Sequence, residues 1–125
     1  MPRIDRDPNA RGPIVQGFAD GAFAVDGRRY RSLLLTPESA GEWRAPPLAE
    51  LEIADLEPIL GLDPQPEFLL LGTGPTFAFA PRALRDALEA REIGLEAMDS
   101  KAAARAWGIL RAEERWIVAA LMPFI

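Results

Sequence analysis

Two glycines, a threonine and two carboxylates are the residues of this chain that could do chemistry. Gly72-Thr73-Gly74 follows the apolar run Phe68-Leu69-Leu70-Leu71 and precedes a segment of helical spacing. That is the place, outside the carboxyl end of a strand, where open α/β sheets bind ligands. Backbone N–H groups there could hold an anion or a small polar ligand, and the same glycines are also explained by a tight turn that needs their backbone freedom. The segment is neither a dinucleotide fingerprint nor a phosphate loop. Pro75-Thr76-Phe77-Ala78-Phe79 stands where a third glycine would be needed, and no Gly-Lys-Ser/Thr follows. Glu96 and Asp99 lie three apart at the end of a second strand-like run, near the Gly72 loop if the two strands are neighbours. A pair of carboxylates can do acid-base work. Asp99 is equally placed to cap a helix, and with no second catalytic group beside them no catalytic residue is assigned and no enzyme is expected. Phe77 and Phe79 alternate between Pro75 and Pro81, so they either pack into the core or form a partner-docking surface at the domain edge.

The residues that are missing exclude more than those present suggest. The chain has no Cys and no His. Thiol nucleophiles, disulfides, Cys/His zinc sites and imidazole bases are therefore out. The acidic group Glu50, Glu52, Asp55 and Glu57 lacks a calcium-loop pattern and reads as a solvated helix face, so no metal and no cofactor are expected. Nineteen acidic residues outnumber 14 basic ones for a net charge of −5, and the cations are scattered. Phosphate backbones require clustered cations, so nucleic acid is not an expected partner. Arg28, Arg29 and Arg31 are the local exception and read as a solvated strand face. All but one of the basic residues are arginine, and with abundant Ala and Pro this suggests a GC-rich bacterial genome. Residues 1–11 carry no apolar stretch, and no later run approaches the length of a membrane span, so a cytoplasmic protein is expected.

A chain of 125 residues with 49% hydrophobic content fits one domain. Residues 1–13, with Pro2, Pro8, Gly12 and Pro13, read as a mobile lead-in to a single domain over 14–125. Segments 14–18, 22–25 and 28–35 are strand-like and divided by Asp20-Gly21 and Asp26-Gly27, which predicts an antiparallel meander. Trp43 anchors a broken connection over 36–47. Helical turns follow over 48–62, interrupted at Pro58 and ended at Gly61. The second half reads strand (from Phe68), helix (from Pro81), strand (94–98), helix (from Asp99 or Ser100) and strand (116–121). Apolar runs without polar alternation fit strands covered on both faces. The fold class expected is α/β: a three-layer single domain, its central mixed sheet carrying helices on one face and the amino-terminal antiparallel meander, with the Trp43 region, on the other. Trp107 and Trp116 are both expected in the core. The direction of the last strand stays open.

Leu70-Leu71-Gly72-Thr73-Gly74, then Gly94-Leu95-Glu96-Ala97-Met98-Asp99-Ser100 with Ala103 and Ala104, then Glu113, Arg115 and Val118-Ala119-Ala120-Leu121-Met122-Pro123 resemble the small domain family that includes mitochondrial complex I assembly factor 3 and the adipogenesis-associated Mth938-like proteins. Gly27-Arg28-Arg29-Tyr30, Ser32 to Pro37 and Trp43 extend the resemblance to almost the whole chain. One departure stands out: the family pattern carries Gly just before the last arginine, where this chain has Glu114, so the turn before the final strand is expected to differ. The resemblance brings no catalytic residue. It implies a mixed sheet and a non-enzymatic interaction module, an assembly or maturation helper for a membrane-associated respiratory complex, recruited to the inner membrane by a protein partner. Self-association stays open. The competing reading is a small-ligand or anion-binding protein. Gly72, Thr73, Gly74, Phe77, Phe79, Glu96 and Asp99 are the candidate ligand or partner contacts for both.

Overall fold

Two Asp-Gly corners start the fold. In the computed structural model, which describes residues 12–125, Asp20-Gly21 and Asp26-Gly27 each take two consecutive positive φ values, 53° and 74° then 51° and 79°. This is the backbone of tight hairpin turns, whose twist matches the strands they join. The corners fold β1 (Gly17–Ala19), β2 (Ala22–Val25) and β3 (Arg28–Tyr30) into the expected antiparallel meander. The run 28–35 is two strands rather than one. β3 presents solvated arginines, whereas the leucines of β4 (Leu33–Leu35) are buried on both faces, so the chain bends at Arg31-Ser32 and changes sheet. Ser32 Oγ fixes the bend by donating to the Trp43 carbonyl.

β4 opens a five-stranded sheet. β5 (Ala40–Glu42) pairs with it, 3-10 turns at Leu48–Glu50 and Ile53–Leu56 lead into α1 (Glu57–Leu60), and β6 (Phe68–Gly72), α2 (Arg82–Ala90), β7 (Gly94–Met98), α3 (Ser100–Ala112) and β8 (Val118–Leu121) follow. The order is β5-β4-β8-β6-β7. β8 and β7 run parallel to β6, and β4 runs antiparallel to β8 and β5. Pro58 does not interrupt a helix; it sits in the first turn of α1, where its missing N–H would have had no partner. Pro81 is the residue before α2 rather than its first.

The α/β class, the mixed sheet and the meander agree with the expectation; the placement of the helices corrects it. β6 to β7 steps one way along the sheet and β7 to β8 steps back across β6. Right-handed crossovers that step in opposite directions put their helices on opposite faces. Leu84 and Leu88 of α2 accordingly pack with Leu51, Leu56, Ile59 and Trp43 over Leu69 and Leu71. Ala103, Ala104 and Trp107 of α3 pack with Phe23 and Val25 of the meander over Leu70. Each face thus carries a helix, and Trp43 shares its face with α2. Phe124 closes the meander side, stacking edge-on against Phe18 and Phe23.

Both long helices end in the same motif. Glu92 N donates to Glu89 O and Ile93 N to Leu88 O after α2; Glu114 N donates to Arg111 O and Arg115 N to Leu110 O after α3. These are Schellman bond pairs. Glu92 (φ 61°) and Glu114 (φ 60°) occupy the left-handed position that glycine usually takes. The departure at Glu114 is therefore a glutamate in a glycine conformation. Trp107 is fully buried with its indole N–H donating to Pro13 O at 2.8 Å, whereas Trp116 is only half-buried and outside both core clusters. Its run 116–121 becomes strand only from Val118, which corrects the core assignment. Most of the expected lead-in, residues 1–11, lies outside the described residues; Pro13 is buried.

Candidate functional site

β6 and β7 are adjacent and parallel, and α2 leaves one face of the sheet while α3 leaves the other. Their carboxyl ends therefore lie at the position where sheets of this kind hold ligands. Gly72-Thr73-Gly74 and Asp99-Ser100 meet there. The protein's own groups occupy the contacts. Ser100, fully buried, accepts from Gly74 N through Oγ at 2.9 Å and donates its own N–H to Gly74 O at 2.9 Å. Thr73 N donates to Met98 O at 2.8 Å, and Met122 N donates to Gly72 O at 3.0 Å. A Cβ on Gly72 would lie 2.8 Å from Ser100 Oγ and 2.9 Å from Leu121 Cδ2, so this glycine exists to admit the start of α3. Gly74, at φ 113°, supplies the turn.

Thr73 shapes what comes next. Its hydroxyl donates to Thr76 O at 2.8 Å and accepts from Ala78 N at 3.1 Å, winding residues 73–78 around one side chain. The winding carries Phe77 and Phe79 outward. They are 51% and 78% exposed and stack edge-to-face with centroids 4.9 Å apart. Of the two readings open for this pair, packing into the core is excluded.

The carboxylates do not act as a pair. Asp99 Oδ1 accepts from Ala102 N at 2.9 Å and so caps α3. Glu96 is exposed on β7, in a groove lined by Phe68, Leu70, Met98 and Leu110. Among the described residues, no three acidic side chains converge in a way that could hold a metal ion, and no helix is long and apolar enough to cross a membrane.

Two features escaped the sequence reading. Ser100 was visible only as a capping residue, and its second role depends on β6 lying beside β7. The other is an ionic tie at the opposite end of the sheet. Glu67 accepts from Arg115 Nη2 at 2.9 Å and from Trp116 N at 3.3 Å, joining the start of β6 to the approach to β8. The Arg115 guanidinium, with the Trp116 N–H, holds the Glu67 carboxyl below its ordinary value. Only contact across 48 residues of sequence reveals this pair.

Comparison with known proteins gives the chain its relatives. It is 32% identical over 120 residues to an uncharacterised protein of Rhodobacter capsulatus, covering 94% of this chain and 91% of that one. It is 25% identical over 113 residues to NADH dehydrogenase [ubiquinone] 1 alpha subcomplex assembly factor 3 of Danio rerio, covering 90% of this chain and 65% of that protein. Among solved structures, the solution structure of a Mth938-like domain from Bordetella pertussis matches with a TM-score of 0.80 and 28% identity, over 97% of this chain and 92% of that one. The family described as proteins of unknown function, DUF498/DUF598, matches residues 15–122, and the chain belongs to it.

Proposed function

We infer that the chain is a non-enzymatic interaction module that helps assemble or mature a membrane-associated complex, binding a protein partner through the Phe77/Phe79 loop. The observation that carries this reading is the exposed aromatic pair, held outward on a loop that Thr73 winds from within. Aromatic side chains displayed on a preorganised backbone are typical anchors of interfaces, because little entropy is lost when they are buried. The kinship with a complex I assembly factor agrees with this role. Occupation of the carboxyl ends of β6 and β7 by Ser100 and Asp99 favours it over an anion site at Gly72 to Gly74, whose N–H groups at Thr73 and Gly74 are already engaged. The partner brings the chain to the membrane.

The test compares proteins crosslinked in cells to the tagged chain with those crosslinked to a Phe77→Ser, Phe79→Ser double variant. A specific partner lost from the variant, at unchanged Tm, supports the reading. An identical set of crosslinked proteins, or none, rejects it, and a Tm increase with added nucleotides or phosphates would return the anion site to consideration.

A further inference from the structure

The outer side of β7 is an open edge. Gly94 N donates to Glu67 O and Thr73 N donates to Met98 O, which marks Gly94, Glu96 and Met98 as the residues bonded to β6. In a parallel ladder bonding residues alternate, so the N–H and C=O groups of Leu95 and Ala97 point away from the sheet. Among the described residues no strand pairs with them. The other edge, β5, is three residues long against five for β7.

A groove flanks this edge on each face. On the α3 side, about 470 Å³ is lined by Phe68, Leu70, Met98 and Leu110, with Glu96 in it. On the α2 side, about 400 Å³ is lined by Leu88, Ile93 and Leu95, with Glu89, Glu92 and Arg85 at its rim. A strand laid along β7 would send successive side chains alternately into the two grooves. Acidic groups outnumber basic ones around both, since Arg115 is already paired with Glu67.

We propose that the β7 edge captures an extended segment of another protein as a sixth strand, with apolar side chains in the α2-side groove and lysine or arginine side chains in the α3-side groove, facing Glu96. A second copy of this chain is a poorer occupant. The antiparallel register that uses both Leu95 and Ala97 places Glu96 directly opposite its own copy, and like charges so placed repel. The proposal rests on the chain being an interaction module but uses a surface other than the Phe77/Phe79 loop, so either can fail alone.

The probe is a fluorescein-labelled octapeptide of alternating valine and lysine, titrated into the full chain at physiological salt. Controls are the valine–glutamate analogue and a peptide of the same composition with like residues grouped. The alternating lysine peptide should bind saturably, at least tenfold tighter than either control. Glu96→Lys should reverse the preference between the lysine and glutamate peptides. Ala97→Pro, which removes one outward N–H and leaves the β6 ladder intact, should weaken binding at least tenfold. The Phe77→Ser, Phe79→Ser variant should bind as the parent does. Independently of any variant, the amides of Leu95 and Ala97 should gain hydrogen-exchange protection on binding. Absence of saturable binding, or binding without that protection, overturns the proposal. So does sedimentation of the parent as a dimer that Ala97→Pro dissolves, which would give the edge to a second copy.

Discussion

Ser100 carries two burdens at one point: its hydroxyl meets the Gly74 N–H, and its backbone occupies the space that Gly72 leaves open. Ser100→Ala leaves a buried donor without a partner, for which a loss of about 1–3 kcal/mol is expected in denaturant unfolding. Gly72→Ala forces a methyl group against Ser100 and Leu121, and should lose about 1–3 kcal/mol by overpacking. The two substitutions act on the same contact, so the double variant should lose less than the sum of the singles. Asp99 belongs with them: what looked like half of an acid-base pair is a helix cap, and its spacing from Glu96 reflects the passage from strand to helix. The type and position of both carboxylates were legible in the sequence. The capping role of Asp99 was legible too, from its place ahead of the α3 run; the surroundings of Glu96 were not, because an exposed carboxylate and a catalytic acid are the same side chain and differ only in what faces it.

At the level of elements, the helix ends and the strand ends make separable contributions. Glu92 and Glu114 hold left-handed conformations that cost a residue with a Cβ roughly 1–2 kcal/mol, whereas glycine gives back part of that as chain entropy. Glu92→Gly and Glu114→Gly should therefore each stabilise the chain by about 0.5–1 kcal/mol, read as a Tm rise of a few degrees. They should add, because they end different helices. The Glu67 tie gives a pH signature. With its folded pKa held down by Arg115, the unfolded chain binds the extra proton first, so this contribution is complete above the ordinary carboxyl value of 4.5 and fades as pH falls through the folded value. The Tm gap between the parent and Glu67→Gln should thus be widest above pH 5 and narrow on acidification. A gap that widens in acid would contradict the assignment. The strands themselves were readable as apolar runs, but the break between β3 and β4 was not, since Arg31-Ser32 looks no different from the interior of a hairpin strand.

Across the whole molecule, two cores share one sheet, and Phe77 and Phe79 lie exposed outside both. Phe77 and Phe79 contribute little to folding on this account. The Phe77→Ser, Phe79→Ser variant should unfold within about 0.5 kcal/mol of the parent while losing partner binding. A large loss of stability would mean the pair is structural. By itself, the sequence determined the α/β class, the meander, the strand-helix-strand-helix-strand order of the second half, and the lack of thiol and imidazole chemistry, because composition, turn residues and apolar runs are local properties. The tertiary structure alone decided which face each helix covers, that β8 runs parallel to β6, that Ser100 packs against Gly72 and Gly74, that Phe77 and Phe79 face outward, and that no strand among the described residues pairs with the outer side of β7. Those outcomes depend on the order in which strands pair, and pairing order is set by long-range packing that no window of neighbouring residues records.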